Sequence, residues 1–406
     1  MTAVARGVRD SLVSDLDLST TPATEAVTLP PTCYTDESFF EFEKTAIFDR
    51  EWLCVGRVEQ LRQSGDFFTI TIADEPLIVV RDGDDINVMS SVCRHRSMVI
   101  TADVPITPER WTGAPKETSG NCGHSFRCPY HFWTYDLRGQ LIGAPEMGRT
   151  PSFDKGEICL PRLKVEIWHG FIFATWDERA DPLAPRLAPL EPLIANWRLE
   201  DLVVAEPIVL EDLKWNWKVM HENFVEWYHS SRLHFNYCEF APSANYEPQE
   251  FDPVSDAGIV SPGRTTHPDY AFNASFKALF PPLESLHERD RQTALFALVP
   301  PLLAFGFNSD SAFYFIVQPR EAGRIDILVG TLFPPSYLEL PDFEEREEKA
   351  LEGVLVFNNA DFATNAAVQK GLRSRRANRG RYSWQEEPLV QFNGWLVERY
   401  RRALAP

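Results

Sequence analysis

The chain has 406 residues, a formal net charge of −19, 44% hydrophobic and 12% aromatic residues. That length exceeds one ordinary core and fits about two domains. The acidic balance speaks against nucleic acid, which needs a basic footprint, and suits a soluble cytoplasmic protein. No run of eighteen apolar residues occurs, so no membrane span is expected. The first thirty residues carry Asp10, Asp15, Asp17 and Glu25 without a continuous apolar core, and do not read as a signal peptide.

Residues 1–35 read as a Thr- and Pro-rich leader, and residues 36–53 have helical periodicity. The period then shortens. Phe67–Ile72 and Pro76–Val80 read as strands, and Arg81-Asp82-Gly83-Asp84 as a hairpin turn. Val165–Trp168 and Phe171–Ala174 flank His169-Gly170 as a second hairpin. Residues 50–178 are therefore expected to form a small antiparallel β domain, with 1–49 as leader and N-terminal helix. The proline-rich run 181–192 marks a boundary, and 179–406 should form the second domain. There, 212–229 and 342–373 read as helices, and Leu295–Val299, Phe313–Val317 and Ile325–Leu332 as strands. The run Glu344–Glu348 reads as a solvated face, and Arg373, Arg375, Arg376, Arg379 and Arg381 as a salt-bridge patch.

Seven cysteines, odd in number and scattered, do not suggest a disulfide framework. Two of them stand in a pattern. Cys93-Arg94-His95 and Cys128-Pro129-Tyr130-His131 each place one Cys and one His in a tight turn. Two thiolates can hold one iron of a [2Fe–2S] cluster and two imidazoles the other. Neutral imidazoles raise the potential to roughly −150 to +300 mV, which suits a centre that receives and passes on electrons. A Cys₂His₂ zinc site is the rival, but zinc fingers pair Cys with Cys and His with His. Cys122-Gly123-His124 lies too close to Cys128 to form a separate loop, and reads as lining its approach.

A second constellation follows. Asn223-Phe224-Val225-Glu226-Trp227-Tyr228-His229 leads to His234. Two histidines and a carboxylate on one face of an iron leave positions open for O₂ and substrate chemistry. An unbroken α-helix would set His229 and His234 about 140° apart. The helix is therefore expected to unwind after His229, with Ser230-Ser231-Arg232 as the bend. By spacing alone, two histidines in a loop remain an equal reading. His169, His221, His267 and His287 read as structural or solvent-facing. Glu226, three residues before His229, is its neighbour on a helix and could orient its ring; a plain surface acid is the alternative.

CRHRSMVI at 93–100 and GNCGHSFRCPYHFWTYDLRGQL at 120–141 resemble the two cluster-binding loops of the Rieske non-haem iron oxygenases, oxygenase (alpha) subunit. ENFVEWYHSSRLH at 222–234 resembles the segment that supplies two iron histidines. NNADFATNAAVQKGLRS at 358–374 resembles the helix of the third ligand, with Asp361 at the matching place; Asp342 and Asp326 lack matching surroundings. The similarity runs from about residue 40 to the end. One departure is the spacing from His95 to Cys128, which makes 101–119 look like an inserted surface loop.

The resemblance implies an α+β protein: an N-terminal Rieske [2Fe–2S] antiparallel β domain, then a helix-grip catalytic domain whose curved antiparallel sheet holds helices. It implies Cys93, His95, Cys128 and His131 as cluster ligands, and His229, His234 and Asp361 on a mononuclear Fe(II). Asn223 and Glu226 would be catalytic, electrons passing through His131 and Glu226 to His229. It further implies a homotrimer, in which the cluster of one subunit faces the iron of its neighbour. O₂ would be co-substrate, and electrons would come from NAD(P)H through a separate reductase, with or without a ferredoxin between. Most members have Asp where this chain has Glu226. Glu there is similar to members that oxidise quaternary ammonium compounds, such as choline and carnitine monooxygenases. The expected substrate is thus a quaternary or methylated amine, with an aromatic ring or acid as the alternative. Trp227, Phe235, Tyr237, Phe305, Phe307 and Phe313 are candidate pocket residues, for a cation by cation–π attraction or for a stacked ring. A non-catalytic electron carrier is the rival of another class, but it leaves the second half of the chain unexplained.

Overall fold

The computed structural model describes residues 15–102, 119–204, 206–234, 236–273 and 275–405. Phe235 and most of the 101–119 insert lie outside the described residues. The chain divides into two compact units, one of residues 50–180 and one of 1–49 with 181–406.

In the unit of residues 50–180, turn chemistry sets the topology. Strands β1 (Leu53–Arg57), β2 (Asp66–Ile72), β3 (Glu75–Asp82), β4 (Asp85–Ser90), β5 (Ser119–Asn121), β6 (Ser125–Arg127), β7 (Thr134–Asp136), β8 (Leu141–Gly143), β9 (Lys164–Trp168) and β10 (Phe171–Thr175) pair antiparallel throughout. They form sheets ordered β4-β3-β2-β5, β1-β10-β9 and β6-β7-β8. Ala73 and Asp74, both at positive φ, close β2 onto β3. His169 (φ +46) and Gly170 (φ +80) close β9 onto β10, the left-handed pair that matches strand twist. Gly170 is required there, because a Cβ would lie 2.5 Å from the Nη2 of buried Arg57. Phe67, Ile78, Val80, Phe126, Trp133, Tyr135 and Leu141 form a core that also takes in Cys93 and Cys128.

The other unit holds a seven-stranded antiparallel sheet, ordered β11-β17-β16-β15-β14-β13, with β12 also on β17. The strands are β11 (Val203–Val204), β12 (Ile208–Leu213), β13 (Ile259–Arg264), β14 (Thr293–Val299), β15 (Leu303–Phe307), β16 (Ala312–Glu321) and β17 (Arg324–Phe333). Its main helices are α1 (Glu37–Glu43), α2 (Trp217–Val225), α3 (Ser230–Leu233), α4 (Phe343–Leu372) and α5 (Glu387–Leu404). Helix α2 packs on β14 and β16 and against α4 and α5.

Helix α1 starts at Asp36, whose carboxylate accepts from the Ser38 and Phe39 amides, and runs on as a π-turn over Lys44–Phe48. Buried Glu43 ties it into this unit. Glu43 accepts from Lys218 Nζ at 2.7 Å, from Tyr400 Oη at 2.6 Å and from Trp217 Nε1 at 3.2 Å. Lys218 and Glu43 are both fully buried, so each charge depends on the other and on these donors.

Candidate metal centres

The two Cys/His loops are built alike. In the first, the Cys93 amide donates to Met98 O (2.8 Å), the Ser97 amide donates back to Cys93 O (3.0 Å), and Ser97 has φ +55. In the second, the Cys128 amide donates to Trp133 O (2.8 Å), the Phe132 amide donates to Cys128 O (3.0 Å), and Phe132 has φ +58. Each loop turns its Cys inward and its His outward: Cys93 and Cys128 are both 2% exposed. The His95 and His131 rings lie 4.5 Å apart, with His95 stacked on Trp133 at 4.7 Å. Tyr135 Oη accepts from the Arg94 amide at 3.0 Å, which leaves its hydrogen for Cys93 Sγ at 3.2 Å. Burial, then the charge of His131, hold the His95 imidazole below its ordinary range; the neutral ring is the form that binds metal. Two buried sulfurs beside two outward nitrogens fit a cluster with one iron of each kind.

The second centre depends on a chain break. Helix α2 is capped by Asn216, whose side chain accepts from the Lys218 amide at 2.9 Å. It stops at Val225, and Glu226 is extended (φ −97, ψ 150). The break therefore precedes His229, and Ser230–Leu233 is a helical turn rather than the expected bend. Trp227 supplies the physical reason. Its indole is buried over Gly263, where a Cβ would meet the ring at 2.6 Å, and its Nε1 donates to Ser261 O at 3.2 Å. Pulling Trp227 inward takes residues 226–228 out of helical register. The Glu226 carboxylate then accepts from the His229 amide (3.0 Å) and bonds its Nδ1. His229 Nε2 is left for other partners.

Asp361 comes from α4. Its Oδ1 lies 2.9 Å from His234 Nε2 and 3.7 Å from His229 Nε2. One donor atom from each of the three residues falls within 4.8 Å of the others. Such a His₂–carboxylate set fits a facial iron site with open positions. Asn223 Nδ2 donates to Asp361 Oδ1 at 3.4 Å, and Asn365 Nδ2 to Asn223 Oδ1 at 3.5 Å. Burial pulls the His229 pKa down, but the charge and hydrogen bond of Glu226, then the charge of Asp361, outweigh it and hold it above its ordinary value. Burial, together with the charge of Glu226, pushes Glu386 up to about 7.

A cavity of about 40 Å³ adjoins these ligands. Its aromatic wall is Phe224, Trp227, Tyr237, Phe272, Phe296 and Phe315; Asn223, Glu226 and Asn358 add polar groups. Phe305, Phe307 and Phe313 do not line it. Phe296, Gly306 and Phe313 stand opposite one another across β14, β15 and β16 and so share a face. Phe305 and Phe307 alternate to the other face, where Phe307 meets Trp197 at 5.0 Å. Phe313 lies across Gly306, behind Phe224 and Phe272.

Residues 197–402 match the model of the ring hydroxylating alpha subunit (catalytic domain), and 51–154 match the Rieske [2Fe-2S] domain. The chain belongs to the Rieske-type ring-hydroxylating oxygenase alpha subunits. Its cofactors are a Rieske [2Fe–2S] cluster and a mononuclear iron. The carnitine monooxygenase oxygenase subunit of Acinetobacter baumannii is 31% identical over 217 residues, 53% of this chain and 54% of the relative. The benzene 1,2-dioxygenase subunit alpha of Pseudomonas putida is 32% identical over 213 residues, 51% of this chain and 44% of the relative. The chain thus spans about half the length of these curated relatives. The crystal structure of a quaternary ammonium Rieske monooxygenase shares the fold, with a TM-score of 0.76 at 24% identity over 95% of this chain and 98% of that one.

The remaining candidates of this alpha subunit lie elsewhere. Asp342 pairs with Arg346 (2.7 Å) and Asp326 with Arg320 (2.6 Å). His221 is buried, bonded to Pro301 O at 2.7 Å, and burial lowers its pKa to about 4. Cys122 Sγ donates to Gly65 O at 3.2 Å, and His124 is exposed. From the arginine cluster, Arg379 binds Thr28 O and Ser19 Oγ, both at 2.7 Å, and Arg381 binds Glu25 O. Phe224, Phe272, Phe296 and Phe315 are the lining rings that sequence reasoning missed. Phe224 alone carried a local signal, lying within the ENFVEWYH segment.

Proposed function

We propose that this chain is the terminal oxygenase of a system in which a separate NAD(P)H-dependent reductase supplies electrons and O₂ oxidises a quaternary or methylated amine. Cys93, His95, Cys128 and His131 would hold the cluster, and His229, His234 and Asp361 the iron. When bound, these groups supply stored electrons and a site for O₂ activation. The chain's own residues do the rest. Asn223 and Glu226 orient Asp361 and His229, and the aromatic wall excludes water and packs the substrate. One oxygen atom enters a C–H bond of the substrate, and the other leaves as water with two electrons and two protons. The product is the hydroxylated amine or, where the new hydroxyl sits on a carbon bonded to nitrogen, that C–N bond breaks to release an aldehyde and the dealkylated amine.

The observation that carries this reading is the ring-lined cavity beside Glu226 and Asp361, where aromatic faces and carboxylates both attract a cation. The matches to carnitine monooxygenase and to the quaternary ammonium monooxygenase support it. A second reading, oxidation of an aromatic ring, draws on the same rings as a stacking surface and on the benzene dioxygenase match. Incubation with reductase, NADH and a panel of betaines, choline and aromatic compounds separates them. Product-coupled O₂ uptake on the amines is expected; coupling with aromatic compounds alone would leave the second reading standing. The assembly proposed is a homotrimer, with the cluster of one subunit serving the iron of the next.

A further inference from the structure

Helix α4 carries a buried polar row, Asn358, Asp361, Asn365 and Gln369, spaced three and four residues apart. Three of these have partners that explain them. Asp361 meets His234, Asn365 donates to Asn223, and Gln369 accepts from the Asn216 amide (3.0 Å) and donates to Tyr34 O (3.0 Å). Asn358 differs. Its side chain is 5% exposed and lines the cavity. Its Nδ2 donates to Val354 O, one turn back, at 2.8 Å. The amide cannot be reversed, because Oδ1 would then face another acceptor. Among the described residues nothing donates to Oδ1. Asn358 lines the cavity, so a ligand or water held there can meet that oxygen. Asn358 also stands one turn before Asp361, on the same face of α4.

We infer that Asn358 is a specificity-determining residue, whose amide oxygen receives the positively charged N-methyl end of the substrate held by Phe224, Trp227, Phe296 and Phe315. This inference rests on the amine reading of the site. The negative end of the amide dipole and the ring faces attract the same cation. An anionic group placed there would meet that oxygen and the nearby carboxylates of Glu226 and Asp361. A substrate carboxylate must therefore point away from Asn358.

The test uses the full chain with both metals and its reductase. The probes are choline and its uncharged isostere 3,3-dimethylbutan-1-ol, the latter as a competitive inhibitor. In Asn358→Leu the oxygen is lost at similar volume. The KM for choline should rise about five- to tenfold while kcat, iron content and cluster spectrum hold, and the preference for choline over the isostere should shrink by the same factor. Asn358→Asp keeps an acceptor toward the cavity and adds charge, at the cost of the bond to Val354 O, so that preference should grow; this variant decides the matter if the leucine variant loses iron. If choline is turned over and neither variant changes the preference, the inference is overturned and the amine reading stands. If the wild type oxidises only aromatic compounds such as benzene or toluene, the amine reading fails and takes the inference with it.

Discussion

Replacing Glu226 by Gln tests how the break between α2 and α3 serves the iron site. Glu226 meets one residue at three points: the His229 amide donates to Oε2 at 3.0 Å and to Oε1 at 3.3 Å, and Nδ1 bonds Oε1. Glutamine can keep the bond to Nδ1, but its NH₂ then faces the His229 amide, donor against donor. The variant loses the charge and one charge-assisted bond, worth about 1.5–3 kcal/mol. The Glu226 side chain is only 10% exposed, so solvent replaces little of this. On a rate set by His229, the loss corresponds to about ten- to hundredfold. The assay is a single turnover from pre-reduced protein, with iron content and cluster spectrum measured in parallel. Both metals should be retained, reduction by the reductase should proceed, and product should form about ten to a hundred times more slowly. An unchanged single-turnover rate would mean that the Glu226 charge does not serve His229. In verified hybrid trimers of Glu226→Gln and Cys93→Ser chains, activity should partly return; no rescue would mean that electrons stay within one chain.

Asp361→Ala should lose the mononuclear iron and keep the cluster spectrum, because the cluster loops belong to the other compact unit; normal iron binding and turnover would mean another carboxylate is the ligand. Lys218→Met strands the Glu43 charge in the core, and a urea melt should show a loss of about 3–5 kcal/mol, much of it recovered in Lys218→Met with Glu43→Gln. Half-buried Glu222 is raised from 4.5 to about 7 by burial, with the Tyr34 hydroxyl at 2.5 Å opposing. The folded state then binds more protons than the unfolded between those values, so stability falls as pH rises through that window. Glu222→Gln should flatten the dependence and be up to about 3 kcal/mol more stable at pH 8, checked by melts from pH 5 to 8.

The parts of the fold that show in the sequence are those fixed by local chemistry. The β9/β10 hairpin follows from His169-Gly170, and α4 from a long run of helix formers. The strand β13 is hidden because it contains Pro262 and Gly263. Both are tolerated there, since β13 is a sheet edge and Gly263 leaves room for Trp227. Helix α5 is absent from the sequence expectations, although Leu389, Phe392, Leu396 and Tyr400 carry its period. The buried face of α4 could not be found by apolar periodicity, because Asn358, Asp361, Asn365 and Gln369 make it polar. The cavity wall was the least legible. Phe296 and Phe315 come together only through the register of β14, β15 and β16, and the parity of β15 turns Phe305 and Phe307 away. The position of the break before His229 likewise depends on a tertiary contact, Trp227 over Gly263, that no local pattern announces.

Metal analysis of the purified chain, with its visible spectrum, reads both metal sites at once. About three irons per chain are expected, two in the cluster and one mononuclear, with a brown-red colour that Cys93→Ser or Cys128→Ser abolishes. A colourless protein with zinc in both sites would contradict this expectation.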